Sequence, residues 1–100
     1  MNDESQLKTV ADVLTPNPEA VFRKEEDGAF LFDPQSGNLK YINGSGVRIY
    51  ELCAAGKTPS QIVAILTAAY PDTEGGVIAA DTVSFLKELT ALGFLRTKGG

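Results

Sequence analysis

The apolar pattern of this chain changes period once, at Asn43, and that change constrains the fold more than any other feature. Before it, apolar residues fall in short runs separated by turn signals. After it, they recur at i, i+3, i+4 and i+7, the spacing of one helix face. Strands followed by helices, rather than alternating with them, argue for an α+β domain.

Three strands are expected, at residues 21–26, 29–32 and 39–43, joined as an antiparallel meander. Asp27-Gly28 suits the positive φ values of a type I′ hairpin turn. Asp33-Pro34-Gln35-Ser36-Gly37-Asn38 is the second turn, with Pro34 fixing φ and Gly37 free to adopt left-handed geometry.

Three helices follow. Ser45 is expected to cap the first, which displays Ile49, Leu52 and Cys53 on one face and ends at Gly56. Thr58-Pro59-Ser60-Gln61 is the clearest local signal. Thr58 is the N-cap, Pro59 sits where its missing N–H costs nothing, and Gln61 completes a capping box. That second helix shows Ile62, Ile65, Leu66 and Ala69 on one face and stops at Tyr70-Pro71. Residues 72–76 read as a loop with a Gly75-Gly76 hinge. A third helix is expected over 78–92, with Thr82, Phe85, Leu86 and Leu89 inward and Gly93 closing it. Residues 94–96 return as a short extended piece.

The first eighteen residues read differently. Leu7, Val10 and Leu14 make one weak helical stripe, and Thr15-Pro16-Asn17-Pro18 stops it, because proline disfavours helical geometry in the residue before it. Residues 1–18 are therefore expected to be mostly a mobile arm, with the domain at 19–97.

What the chain lacks narrows its chemistry. Its 100 residues suit one small domain, and 43% hydrophobic with 22% charged residues is a globular composition. It has no histidine, the commonest general base and metal ligand, and one cysteine, which rules out both an internal disulfide and a CxxC zinc site. No catalytic residue, metal or cofactor is expected. No run reaches the length of a membrane helix and no secretory signal is visible, so the chain reads as cytoplasmic. Nine basic residues against thirteen acidic ones, a net charge of −4, weigh against nucleic-acid binding. Cys53, on an apolar helix face, reads as a small buried hydrophobe. Glu25-Glu26-Asp27 reads as a solvated hairpin tip.

Several short pieces, in order, resemble the PqqD family. They are Gly28-Ala29-Phe30-Leu31-Phe32-Asp33, Tyr41-Ile42-Asn43, Ile49-Tyr50-Glu51-Leu52, Gly56-Lys57-Thr58 and Gln61-Ile62-Val63, closing with Asp81, Phe85-Leu86, Leu89 and Leu92-Gly93-Phe94-Leu95. Ile42 stands where the family usually has leucine, and Tyr50 where it commonly has tryptophan. The resemblance covers roughly residues 19–96 and implies a winged helix-turn-helix-like fold, a three-stranded antiparallel sheet followed by three helices. It also implies a function: a RiPP recognition element, which binds the leader of a ribosomal precursor peptide as an added strand. Such an element presents the peptide to a radical SAM maturase, in the making of pyrroloquinoline quinone or of other modified peptides.

The physics of strand addition suits the sequence, since a sheet edge offers unpaired N–H and C=O groups to an extended peptide. The receiving edge would be Leu39, Lys40, Tyr41, Ile42 and Asn43. The resemblance sets the third helix beside it, so Val83, Leu86, Lys87 and Thr90 would form the other wall. Taken singly, Leu86 and Ile42 read first as core, and Lys40 and Lys87 as solvated charges. Leaders of such peptides often carry acidic residues, which keeps both lysines in the expected site. The rival is a winged-helix DNA-binding regulator. Its recognition helix would be 78–92, where Lys87 stands against Asp81 and Glu88 with no Arg, Asn or Gln to read a base edge. The sequence does not separate a free-standing module from one acting within a larger synthetase or transporter system, and it leaves the oligomeric state open.

Overall fold

The computed structural model describes residues 13–97. Its elements, in chain order, are β1 (Leu14–Pro16), β2 (Val21–Lys24), β3 (Gly28–Phe32), β4 (Leu39–Asn43), α1 (Gly44–Ala54), α2 (Pro59–Ala69), α3 (Gly75–Ala91) and β5 (Leu95–Thr97). The expected meander is present as an antiparallel sheet ordered β2-β3-β4, and three helices follow it. The α+β reading of the sequence therefore holds.

The strand β3 explains the core. Ala29 and Leu31 are fully buried, while Phe30 and Phe32 alternate to the other face. Against the buried face pack Val47, Ile49, Tyr50, Leu52 and Cys53 of α1, Ile62 and Leu66 of α2, and Leu86 and Leu89 of α3. Phe94 and Leu95 close the cluster from the C-terminal end. Phe22 of β2 stacks on Tyr50 with ring centroids 4.8 Å apart.

Helix ends follow local chemistry. Thr58 Oγ1 accepts from the Gln61 N–H at 3.1 Å and Gln61 Oε1 accepts from the Thr58 N–H at 2.9 Å, the reciprocal box expected from the sequence. α1 and α3 both end in Schellman pairs. Gly56 and Gly93 take positive φ, and the Lys57 and Phe94 N–H groups donate back to the carbonyls of Leu52 and Leu89.

Several expectations need correction. Asn43, not Ser45, caps α1: its Oδ1 accepts from the Gly46 N–H and from the Ser45 hydroxyl, each at 3.0 Å. Strand β4 runs into the helix without a linker, so the last strand residue is also the cap. The first hairpin is not type I′, because neither Asp27 nor Gly28 has positive φ. Its central residues are Glu26 and Asp27, closed by the Glu25 N–H donating to the Gly28 carbonyl at 2.7 Å. Gly28 is glycine for space: a Cβ there would collide with the Ile42 carbonyl oxygen and the Tyr41 ring of β4. Gly75 and Gly76 form the first turn of α3 rather than a hinge, because the Glu74 carbonyl already accepts from the N–H groups of Val77 and Ile78. Ala69 is exposed, so the buried face of α2 is Ile62 and Leu66.

The largest difference concerns the expected arm. Leu7 and Val10 lie outside the described residues, but its last part is built into the fold. Leu14–Pro16 pairs antiparallel with Leu95–Thr97, with Leu14 opposite Thr97 and Pro16 opposite Leu95. Leu14 is buried and extended, so it is a strand residue of the core and not the last member of a helical stripe. Asn17 is the clasp. Its N–H donates to the Phe94 carbonyl at 2.9 Å and its Nδ2 to the Gly93 carbonyl at 3.0 Å. Its Oδ1 accepts from the Glu19 N–H and from the Arg96 guanidinium. A proline-flanked asparagine that reads as a stop signal is thus the polar centre joining the two ends.

Candidate functional site

Strand β4 is a terminal strand of its sheet, and its register decides which backbone groups face outward. In an antiparallel pair, bonded and non-bonded positions alternate. The Asp33 N–H donates to the Asn38 carbonyl at 2.9 Å, which makes 33 with 38 a bonded pair and, two residues on, Leu31 with Lys40 another. Leu39 and Tyr41 fall between, so their N–H and C=O groups point away from β3 to the open edge. No backbone or side-chain partner meets them among the described residues. The β2–β3 ladder agrees: Glu25 with Gly28, and hence Arg23 with Phe30, are bonded pairs, so Phe30 spends its backbone groups on β2 and none on Tyr41.

The side chains of β4 divide between two faces. Ile42 is buried, and Lys40 turns toward α3, where its Nζ lies 2.9 Å from the Glu88 carboxylate. Leu39 and Tyr41 are exposed on the other face. There they complete two cross-strand rows, Val21–Phe32–Leu39 and Arg23–Phe30–Tyr41. The Phe30 and Tyr41 rings meet edge to face at 5.3 Å. An unpaired backbone edge therefore runs between an apolar outer face and the flank of a helix.

α3 is held to that flank at its C-terminal end and near its middle. The Asn38 side-chain amide donates to the Leu92 carbonyl at 2.8 Å. Near the junction of β4 with α1, a Cβ on Gly46 would come within 3.0 Å of the Phe85 ring and 3.1 Å of Ile42 Cβ, so the helix approaches closely there. Phe85 and Glu88 of α3 are thus turned toward β4, and the backbone carbonyl of its C-cap, Leu92, is tied to the start of that strand.

Of the helix residues expected from the sequence, Val83, Leu86, Lys87 and Thr90 are brought together elsewhere. They line a cavity of about 240 Å³ whose other walls are Leu14, Pro59, Ala91 and Thr97. Leu86 is buried, and the Thr90 hydroxyl donates to the Leu86 carbonyl one turn back at 2.7 Å. At 100° per residue, this stripe and the Phe85–Glu88–Leu92 stripe are roughly half a turn apart. The signal that separates them is periodicity: 85, 88 and 92 share one face, and 83, 87 and 90 another. The sequence does not say which face meets β4. The strand half of the expected site is assembled as a single edge, with Ile42 and Lys40 inward and Leu39, Tyr41 and Asn43 exposed.

Titratable groups support no reactive centre in this region. Burial pushes the Cys53 thiol up to about 11, so it stays protonated and unreactive. Burial, and secondarily Cys53, also raises the Tyr50 phenol. Among the described residues no three His, Cys, Asp or Glu side chains are placed to hold a metal ion. No described helix is long and apolar enough to cross a membrane. The exposed α3 surface carries Asp81 and Glu88 beside Lys87, which does not complement phosphates.

Comparison with known proteins places this arrangement. The family described as coenzyme PQQ synthesis protein D (PqqD) matches residues 28–95. No curated protein sequence matches the chain. Among solved structures, TbiB1 in complex with the TbiA(beta) leader peptide is 26% identical, with a TM-score of 0.74 over 86% of this chain and 96% of that one. The PqqD truncation of Methylobacterium extorquens PqqCD, described as a functional and stand-alone RiPP recognition element, is 25% identical, with a TM-score of 0.70 over 87% and 92%. A lasso peptide synthetase B1 complexed with its leader peptide shares the fold, at 21% identity and a TM-score of 0.75 over 84% and 98%.

Proposed function

This chain belongs to the PqqD family, and from that premise we propose that it is a non-catalytic recognition element that binds the leader of a ribosomal precursor peptide along β4. The observation that carries the proposal is the open edge: the outward N–H and C=O groups of Leu39 and Tyr41, flanked by α3. An extended leader adds to the sheet as a strand beside β4, and its backbone supplies affinity through main-chain hydrogen bonds. Alternate leader side chains then meet two environments. Inward ones face Lys40, Phe85 and Glu88; outward ones extend the apolar rows that end in Leu39 and Tyr41.

Leader binding is what the TbiB1 complex and the stand-alone recognition element support by similarity; the choice of β4 rests on the open edge alone. The partner that receives the peptide is proposed to be a radical SAM maturase, and the site of action the cytoplasm. The first rests on the family resemblance and on a chain without histidine to carry chemistry of its own, the second on a single cysteine that cannot form an internal disulfide.

The test is a titration of isotopically labelled protein with the precursor leader encoded beside it. Amide resonances of Leu39, Tyr41 and Asn43 should move most, with those of Phe85, Glu88 and Leu92. The hairpin tip at Asp27 and the helix α2 should stay still. Shifts confined to α2, or tight binding to duplex DNA in place of peptide, would overturn the assignment.

A further inference from the structure

A cavity lies on the side of α3 turned away from β4, and its place in the fold says what fills it. Leu14 and Thr97 both line it, and they are register partners at the end of the β1–β5 ladder. The described chain therefore begins beside this cavity. We propose that the cavity seats this chain's own N-terminal segment, through the side chains of Val10 and Leu7. This inference does not depend on the leader-binding reading.

Three observations favour this occupant. The first is size. A cavity of about 240 Å³ lies below the ~300–1,000 Å³ usual for cofactors and drug-sized ligands, and suits one or two aliphatic side chains. The second is chemistry. Its walls include the apolar groups of Leu14, Pro59, Val83, Leu86 and Ala91, with Lys87 as the charged residue. Lys87 forms no ion pair among the described residues. Residues 1–12 carry Leu7 and Val10 together with Asp3, Glu4 and Asp12 against a single lysine, so they match both the apolar walls and the charge. The third is tethering. Val10 lies four residues before Leu14, a reach of at most roughly 14 Å. A segment tied so closely acts at an effective concentration on the order of mM, which a free ligand rarely matches.

The full-length protein with labelled methyl groups tests the assignment without any added ligand. Cross-relaxation is expected from the Val10 and Leu7 methyls to those of Val83, Leu86 and Ala91, independent of protein concentration. A Val10→Asp and Leu7→Asp double variant should lose it and shift the Val83, Lys87 and Ala91 amides, while resonances of β2, β3 and β4 stay in place. Deleting residues 1–11 should reproduce those shifts. Because neither change touches a residue of the described core, a well-dispersed spectrum confirms that each variant is folded. Absence of the contacts in the full-length protein overturns the proposal, as does a deletion that leaves Val83 and Ala91 unmoved. So does cross-relaxation seen only between molecules in a mixed-label sample, which would make a second copy the occupant.

Discussion

The two edges of the three-stranded sheet offer the same backbone chemistry and very different surroundings. At β2 the outward groups belong to Phe22 and Lys24; at β4 they belong to Leu39 and Tyr41. The β2 edge carries Arg23 and Lys24 and runs into an acidic tip, and its lysine pairs with Glu51 of α1 at 3.0 Å. Charged side chains on an edge are the usual defence against an added strand. The β4 edge carries exposed Leu39 and Tyr41 instead, and α3 stands beside it. Unpaired amides are present at both edges alike, so under the proposed leader binding it is the flanking side chains and the helix wall that would select between them.

The harshest way to break that contrast is Gly28→Ala. The new Cβ meets the Tyr41 ring and the Ile42 backbone oxygen, and the oxygen, unlike the ring, cannot rotate away. The β3–β4 spacing must open, at a cost of roughly 3 kcal/mol or more. A lower urea midpoint together with loss of leader binding is the expected outcome. An unchanged midpoint would mean that β4 does not approach β3 as described.

A paired substitution sharpens the contrast directly. Tyr41→Pro and Lys24→Pro each remove one outward N–H and leave the bonded pairs with β3 intact. Tyr41→Pro should weaken the leader about tenfold, since one lost backbone bond with its imperfect replacement is worth on the order of 1 kcal/mol. Lys24→Pro should leave affinity unchanged. Equal losses in calorimetric titrations of the two variants would show that the β4 edge is not selected.

Thr58→Ala lies at neither edge and separates stability from binding. Losing the cap acceptor for the Gln61 N–H should cost about 1 kcal/mol, visible as a lower melting temperature, with leader affinity per folded molecule unaltered. A fall in affinity would tie α2 to the site. The smallest effect is expected from Glu88→Gln, which frees Lys40. Glu88 is half exposed and Lys40 about a quarter, so solvent still screens the pair and stability should change by no more than about 1 kcal/mol. Affinity for an acidic leader should rise, and the gain should shrink in high salt. Salt dependence identical to that of the parent protein would show that Lys40 does not face the peptide.

The chain by itself determined those elements whose signals are contained within a few residues. The capping box at Thr58 and the left-handed glycines at Gly37, Gly56 and Gly93 each act within a single turn of chain, and the alternation of β3 and β4 is set by nearest neighbours. Local chemistry of that kind survives any tertiary context that does not oppose it, so the meander, the three helices and the alternation of the edge strand β4 were legible. Tertiary structure decided what depends on residues far apart. Asn17 becomes a clasp only where the carbonyls of Gly93 and Phe94 arrive beside it, and Leu14 becomes core only opposite Thr97. Gly28 is required by an oxygen on Ile42, which no turn rule foresees. The face that α3 shows to β4 was also a tertiary matter. A helix with several apolar stripes can roll, and the close approach of Phe85 to Gly46 and the tie from Asn38 to Leu92 fix its rotation. They turn Phe85 and Glu88 to the edge, and Val83, Lys87 and Thr90 to the cavity behind it.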